Sequence, residues 1–438
     1  MRRTRKVFLR MLGLLLLLIL IAIPTAYFTL KSQWFRDSIH QRVIAEVEKA
    51  TGGKTEFEHL NFDWKTQVAT ISGFTLHGTE AADVPALLKA DLIEIGLRFD
   101  SGMRTSIRLA SLVVRKPRIR IEVRTDGTNN LPKPAAARKN TKSLLEEVVN
   151  LAVRRVEVEQ GIVDYADRRL PFSAHGDNVE LRFSYEVPSK KYLGTFSSRK
   201  LRLTAPDFPK MLFNTDVSLS VDKDGADIRS LIVDTGQTTA VASGRVTNLE
   251  SLTTKLKVSA HVDSGEMWPP AIPGKSSGKV HFDGTFAATD WKKYRLVGSV
   301  SGAGLSYTYN QYQANQATLQ GQLDLNHEGM SVENLQVSAA EGQFAGKAKF
   351  ATWHSLALEG EVKGVEIQPL LAKQAQLASK MADIPWNGVI AGPLTLDCQL
   401  GPSTTCYGAV QATVSPVAGQ PPLTGFVGVE FNQRANQC

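Results

Sequence analysis

The chain has 438 residues, 51 Lys and Arg against 43 Asp and Glu, a formal charge of +8, and 42 % apolar against 21 % charged side chains. That balance excludes a generally disordered chain and supplies apolar surface enough for a core of several ordinary domains. Three cysteines, Cys398, Cys406 and Cys438, exclude a disulfide-dense scaffold, and their spacing matches no metal-ligand pattern.

Residues 1–6 form a basic tail, with Arg2, Arg3, Arg5 and Lys6. From Val7 to Leu30 the only charge is Arg10. As a helix this stretch covers about 36 Å, enough for a hydrocarbon core of roughly 30 Å. The bases before it outweigh those after it, so the positive-inside rule places the N-terminus in the cytoplasm and the rest of the chain across the membrane. Tyr27, Phe28 and Trp34 stand where an aromatic belt belongs. The rival reading is a cleaved signal peptide, but no clear small-x-small site follows the apolar run.

Residues 31–53 read as an amphipathic helix. Phe35, Ile39, Val43, Val47 and Ala50 share one face, and Gly52 and Gly53 supply the stop. Packing on the first strands as an end cap is the expected fate of that stripe, with a helix lying on the membrane as the lesser option. Residues 54–131 alternate with period two in runs such as QVATISGFTLHG and PRIRIEVRTDG, the pattern of a first β module. Its bases run Arg98, Arg104, Arg108, Arg115, Lys116, Arg118, Arg120, Arg124. They read first as a solvated strand face and second as a contact for anionic lipid headgroups. No aromatic platform interleaves them, and no nucleic-acid partner is expected. Residues 132–150 read as a surface linker, with a short helix in SLLEEVVNLAVRR.

From 151 to 438 the alternation is almost unbroken, apart from a helical stretch near Gln368 to Met381, and a repeat emerges. Gly225 and Gly329 lie 104 positions apart, and Ile228, Leu231 and Val233 fall against Val332, Leu335 and Val337. A third start sets Gly425, Val427 and Val429 against Gly321, Leu323 and Leu325. A fixed period signals one unit stacked on copies of itself. The KDG and HEG segments read as hairpin turns. Allowing roughly 12 residues per strand and turn, one repeat advances on the order of 40 Å. The fold expected is mainly β: an N-terminal transmembrane helix, a short amphipathic helix, then a long, rolled antiparallel β-groove, taco-like, with repeats of about this length. Leu219, Val221, Leu231, Val233 and Val246 would line one repeat, and Leu323, Leu325, Leu335, Val337 and Phe350 the next. A register error of one residue would turn them all outward. Cys398 and Cys406 flank a Gly-Pro-Ser-Thr turn; in an oxidising compartment they could pair across it, and a disulfide and two thiols both stay open at this point.

The order of these parts resembles a family. A basic flank, one anchor, a helix ending in TGGK, FEHLNFDW, ISGFTLHG and IRLASLVVRKPRIRIEVRTDGTNNLP resemble the AsmA-like proteins of diderm bacteria, including the TamB-type members. Pro117 through Leu131 is the most specific piece, and VRRVEVEQGIVDYADRRLPF resembles the strand that opens the next module. The resemblance implies a groove in the periplasm, anchored in the inner membrane through Val7 to Leu30, that carries phospholipid toward the outer membrane and supports envelope integrity. The family usually continues past the point where this chain stops at Cys438, so a fragment or a short member is expected, with its last strand edge offered to an outer-membrane or periplasmic protein.

No chemistry is expected to compete with that reading. The eight histidines are scattered. His261 in HVD and His281 in HFD share a face with the acid that follows them, as ordinary alternation requires. Asp222 to Asp227, DKDGAD, lacks the later glutamate of a calcium loop and reads as a turn. No nucleophile elbow, phosphate loop or dinucleotide fingerprint occurs, so neither an enzyme nor a cofactor nor a metal is expected. The alternative function is an assembly scaffold that templates outer-membrane proteins by β-augmentation. A conduit needs an unbroken apolar track, whereas a scaffold is free to fill its core.

Overall fold

A run such as TTKLKVSAHVD places every second side chain on one face, so it buries its apolar half only as a strand. A computed structural model describes residues 33–81, 83–100, 106–132, 152–169, 172–205, 210–248, 253–268, 274–289, 293–309, 312–339, 342–352, 354–368, 387–400, 405–419 and 424–434. The Val7–Leu30 segment, residues 133–151 of the expected linker and helix, and residues 369–381 of the expected later helix lie outside them. Among the described residues no helix is long and apolar enough to cross a membrane.

Among the described residues, helix α1 (Gln33–Thr51) leads into a single sheet of 22 strands. The first seven are β1 (Lys54–Glu56), β2 (His59–Asp63), β3 (Val68–His77), β4 (Leu88–Asp100), β5 (Ser106–Arg115), β6 (Arg118–Val123) and β7 (Arg155–Asp167). Then follow β8 (Phe172–Glu186), β9 (Lys191–Thr204), β10 (Met211–Asp222), β11 (Gly225–Asp234), β12 (Thr239–Asn248), β13 (Thr253–Asp263), β14 (Lys275–Ala288) and β15 (Tyr294–Tyr309). The last are β16 (Tyr312–Asn326), β17 (Gly329–Ala339), β18 (Gly342–Ala351), β19 (Ser355–Glu366), β20 (Gly388–Gln399), β21 (Thr405–Pro416) and β22 (Gly425–Arg434). From β7 to β22 each strand pairs antiparallel with the next.

The sheet is mixed, not antiparallel throughout as alternation suggested. β5 and β6 are two halves of one broken row beside β4, and β7 adds to both of them in parallel. The break is Lys116-Pro117, where Lys116 takes φ 48° and Pro117 has no N–H to give. Its neighbour compensates: the Lys116 N–H donates to Glu159 O at 2.8 Å, and the Ile162 N–H donates to Pro117 O at 2.8 Å. Likewise β1 and β2 share one row against β3. Register shifts then recur between neighbours from β7 to β13, and again at β14–β18 and β19–β20. Each such bulge bends its strand and tightens the local twist.

The offset of 104 maps hairpin onto hairpin. The β10–β11 turn has the Asp224 N–H donating to Asp222 Oδ1 at 3.0 Å; the β16–β17 turn has the Glu328 N–H donating to Asn326 Oδ1 at 2.8 Å. The bulge between Ile228 and Leu231 returns between Val332 and Leu335. One offset spans six strands, about 29 Å at 4.8 Å per strand, and not the 40 Å expected, because strand and turn together use more residues than assumed. The third start fails. Gly425 opens β22, whereas Gly321 lies inside β16.

Candidate functional site: the apolar face of the sheet

Residues paired across neighbouring strands share a face, so the register fixes which side chains meet. One ladder runs from β10 to β21 as Leu219, Ile228, Gly244, Leu256, Phe286, Leu296, Leu325, Met330, Phe350, Leu356, Cys398 and Cys406. A second runs beside it as Val217, Leu231, Ala242, Val258, Gly284, Gly298, Leu323, Val332, Ala348, Leu358, Leu396 and Gly408. Neither contains a polar or charged side chain. The ladder through Lys257, Thr285, Val297, Asp324 and Ser331 on the other face is mixed and mostly polar. That face carries ion pairs, among them Arg245–Asp227 at 2.7 Å, Arg199–Asp216 at 2.8 Å and Lys347–Glu359 at 2.8 Å.

The structure places all ten sequence-predicted lining residues on the apolar face. Leu219, Leu325 and Phe350 stand in the first ladder, and Leu231 and Leu323 in the second. Val221 and Val246 both belong to the row through Ala226. Val233 faces Ala240, Leu335 faces Gly346, and Val337 faces Leu319 and Phe344. Their burial differs along the strands. Val221, Val246, Leu335 and Phe350 are buried, the last to 3 % exposure, while the other six are half-buried.

Two clusters gather part of the buried apolar side chains. Tyr192, Val221, Ala226 and Val246 pack with Phe183, Tyr185, Leu219 and Ile228. Phe350, Cys398 and Leu400 pack with Met330, Leu356, Leu396 and Cys406. Both lie at the sheet edge where the β10–β11 and β16–β17 turns fall. Cys398 and Cys406 are direct cross-strand partners there, joined as a disulfide with their Cα atoms 4.1 Å apart. A third cluster closes the other end of the sheet. Phe57, Ile71, Phe74, Leu76 and Leu87 receive Val43, Ile44 and Val47 of α1. The helix is fixed there by Glu48, whose Oε1 accepts the Thr55 N–H at 2.9 Å, and by the His40 ring 4.1 Å from that of Phe57. Val43 and Val47 pack as the expected stripe requires, while Ile44 joins them and Ala50 stays exposed.

Glycines along the face stand beside aromatic rings. A Cβ built on Gly194 would stand 2.1 Å from the Phe183 ring, one on Gly284 2.5 Å from Phe282, and one on Gly360 2.8 Å from Phe344. These rings occupy the space that a side chain at each glycine would need. The sequence reading missed this device; its signal was the Phe-x-Gly spacing of Phe282 to Gly284, whereas Phe344 meets Gly360 only through strand pairing. The protein-family models, the curated proteins and the solved structures contain no match to this chain.

Proposed function

We propose that the chain is a membrane-anchored lipid conduit of the AsmA-like, TamB-type kind, its apolar face curled into a groove that carries the acyl chains of phospholipid between inner and outer membrane. The observation that carries this reading is the pair of uninterrupted apolar ladders across twelve strands, β10 to β21. A solid core would place bulky side chains at the centre of the face, whereas here Gly284, Gly298, Gly346, Gly360 and Gly408 sit along it. Recurrent bulges supply the bending that a rolled sheet needs. Exposing two tails of some 30 methylenes to water costs on the order of 24 kcal/mol, so an unbroken track removes a barrier that no single pocket addresses. The anchor, Val7 to Leu30, holds the groove's first strands at the donor membrane. Catalysis has no part in this.

Photo-crosslinking probes at Leu231, Val233, Leu335 and Val337, scored in cells for attached phospholipid, test the reading. Lys257 and Glu333, exposed on the polar face, are the controls. Lipid at the first four and not at the controls is the expected result. Protein adducts without lipid at all six would replace the conduit by the assembly scaffold.

A further inference from the structure

Trp64 stands 66 % exposed on the turn between β2 and β3, its ring edge-on to that of Phe62 at 4.6 Å. The turn that presents it is fixed on both sides. The Lys65 N–H donates to Asp63 Oδ1 at 2.8 Å, Gln67 takes φ 57°, and the Leu97 N–H of β4 donates to Gln67 O at 2.8 Å. An indole has a large apolar body and one polar N–H, and the membrane–water interface serves both.

Helix α1 shows which way the turn points. Glu48 holds Thr55 on β1 and His40 packs on Phe57, so the helix runs antiparallel to the row of β1 and β2. Its first residue, Gln33, therefore lies toward the end of the sheet where the turn stands. From His40 back to Gln33 the helix adds about 10 Å, whereas from Phe57 to Asp63 the row adds about 20 Å. The turn thus passes the helix start by roughly 10 Å. Leu30, the last residue of the apolar stretch, stands three positions before Gln33. Beside the turn, Arg98 of β4 and Arg108 of β5 are direct cross-strand partners, and both are exposed. Two like charges set opposite one another favour an anionic neighbour.

We propose that this end of the sheet docks on the bilayer surface, with Trp64 inserted as an interfacial anchor and Arg98 and Arg108 set against the phosphates of anionic headgroups. The proposal rests on the reading of Val7 to Leu30 as a membrane anchor, and it adds a second point of attachment on a different element. Trp64 then joins Tyr27, Phe28 and Trp34 in one aromatic belt. A single span leaves the sheet free to swing about its tether. The turn stops that swing and holds the first rows against the lipid surface, where acyl chains enter the groove.

The test uses the full chain in vesicles of phosphatidylcholine and phosphatidylglycerol, prepared with and without bromine on the acyl chains close to the headgroup. Flotation of the chain with the vesicles reads the anchor by itself. The emission of the wild type less that of Trp64→Phe isolates Trp64 from the other tryptophans. The expected result is a Trp64 component that bromolipid quenches and aqueous iodide does not reach. Circular dichroism checks that Trp64→Phe keeps its sheet. Should it not, a photo-crosslinking residue in place of Lys65 decides, with lipid adducts expected there. A chain that floats while its Trp64 component is quenched by iodide and not by bromolipid, or that gives no lipid adduct at position 65, overturns the proposal and leaves the anchor standing. A chain that does not float overturns both.

Discussion

His175 shows how much of this molecule's chemistry is made by register. It sits on β8 directly opposite Asp164 of β7, with Nδ1 2.6 Å from Asp164 Oδ1 and Nε2 3.1 Å from Asp177 Oδ1. The hydrogen bond to Asp164 raises its pKa above the ordinary value, Coulomb attraction adds to it, and partial burial opposes it. A raised folded-state pKa stabilises the fold fully below the unfolded value of about 6.5, and that contribution fades as pH rises through the folded value. The side chain is 35 % exposed, so the effect is modest. We predict an NMR titration midpoint for His175 above that of an unfolded peptide. His175→Gln should lessen the fall of the urea midpoint as pH is raised from 6 to 8; an unaltered fall would remove His175 as its source. In sequence His175 is one of eight scattered histidines, and nothing local links it to an acid 11 positions away. The ring contact of His261 with His281, cross-strand partners on β13 and β14, was hidden for the same reason. Alternation tells which face a residue takes, but only strand pairing tells whom it meets.

At the scale of elements, the hairpins were legible and the parallel junction was not. Gly225 and Gly329, one offset apart, take φ 152° and 148°, and a Cβ on either would stand 2.1 Å from a backbone oxygen, Val246 O or Phe350 O. Those two contacts are themselves one offset apart, so the repeat preserves a strained corner as well as a pattern. Alanine at either glycine should cost about 1–3 kcal/mol, and because the sites are some 29 Å apart the double variant should cost the sum. Gly428→Ala, where a Cβ meets nothing within 4 Å, should change stability by less than about 0.5 kcal/mol. Urea unfolding measures all four, and equal midpoints for the Gly329 and Gly428 variants would refute the argument. These corners could be read from sequence because Asp-x-Asp-Gly and Asn-x-Glu-Gly demand a turn whatever lies beyond. β7 could not, since PRIRIEVRTDG and VEVEQGIVDYAD look the same in a hairpin and in a parallel pair. What sets them side by side is a crossover of about thirty residues, whose length favours parallel pairing without naming the partner.

At the scale of the whole molecule, the strands stack into twenty rows, β1 with β2 and β5 with β6 sharing one each, which extends the sheet by about 90 Å along the hydrogen-bond direction. A conduit of the proposed kind works only if its track is continuous, so its weakest row governs the whole. Val300 on β15 is a useful place to break it. It is half-buried on the apolar face between Phe282 and Gly321, where an added ring projects into the proposed groove. Val300→Trp should leave lipid adducts at Leu231 and Val233, on the anchor side of the block, and reduce those at Leu335 and Val337 by about tenfold, since each kcal/mol of added barrier slows passage several-fold. Val297→Trp, three residues away and 40 % exposed on the other face, should leave all four positions as they were. If Val300→Trp lowered the four adducts equally, lipid would be entering the sheet from the side at many rows. The apolar face would then be a storage surface, and the continuity of its ladders would serve binding capacity, with no role in directed passage.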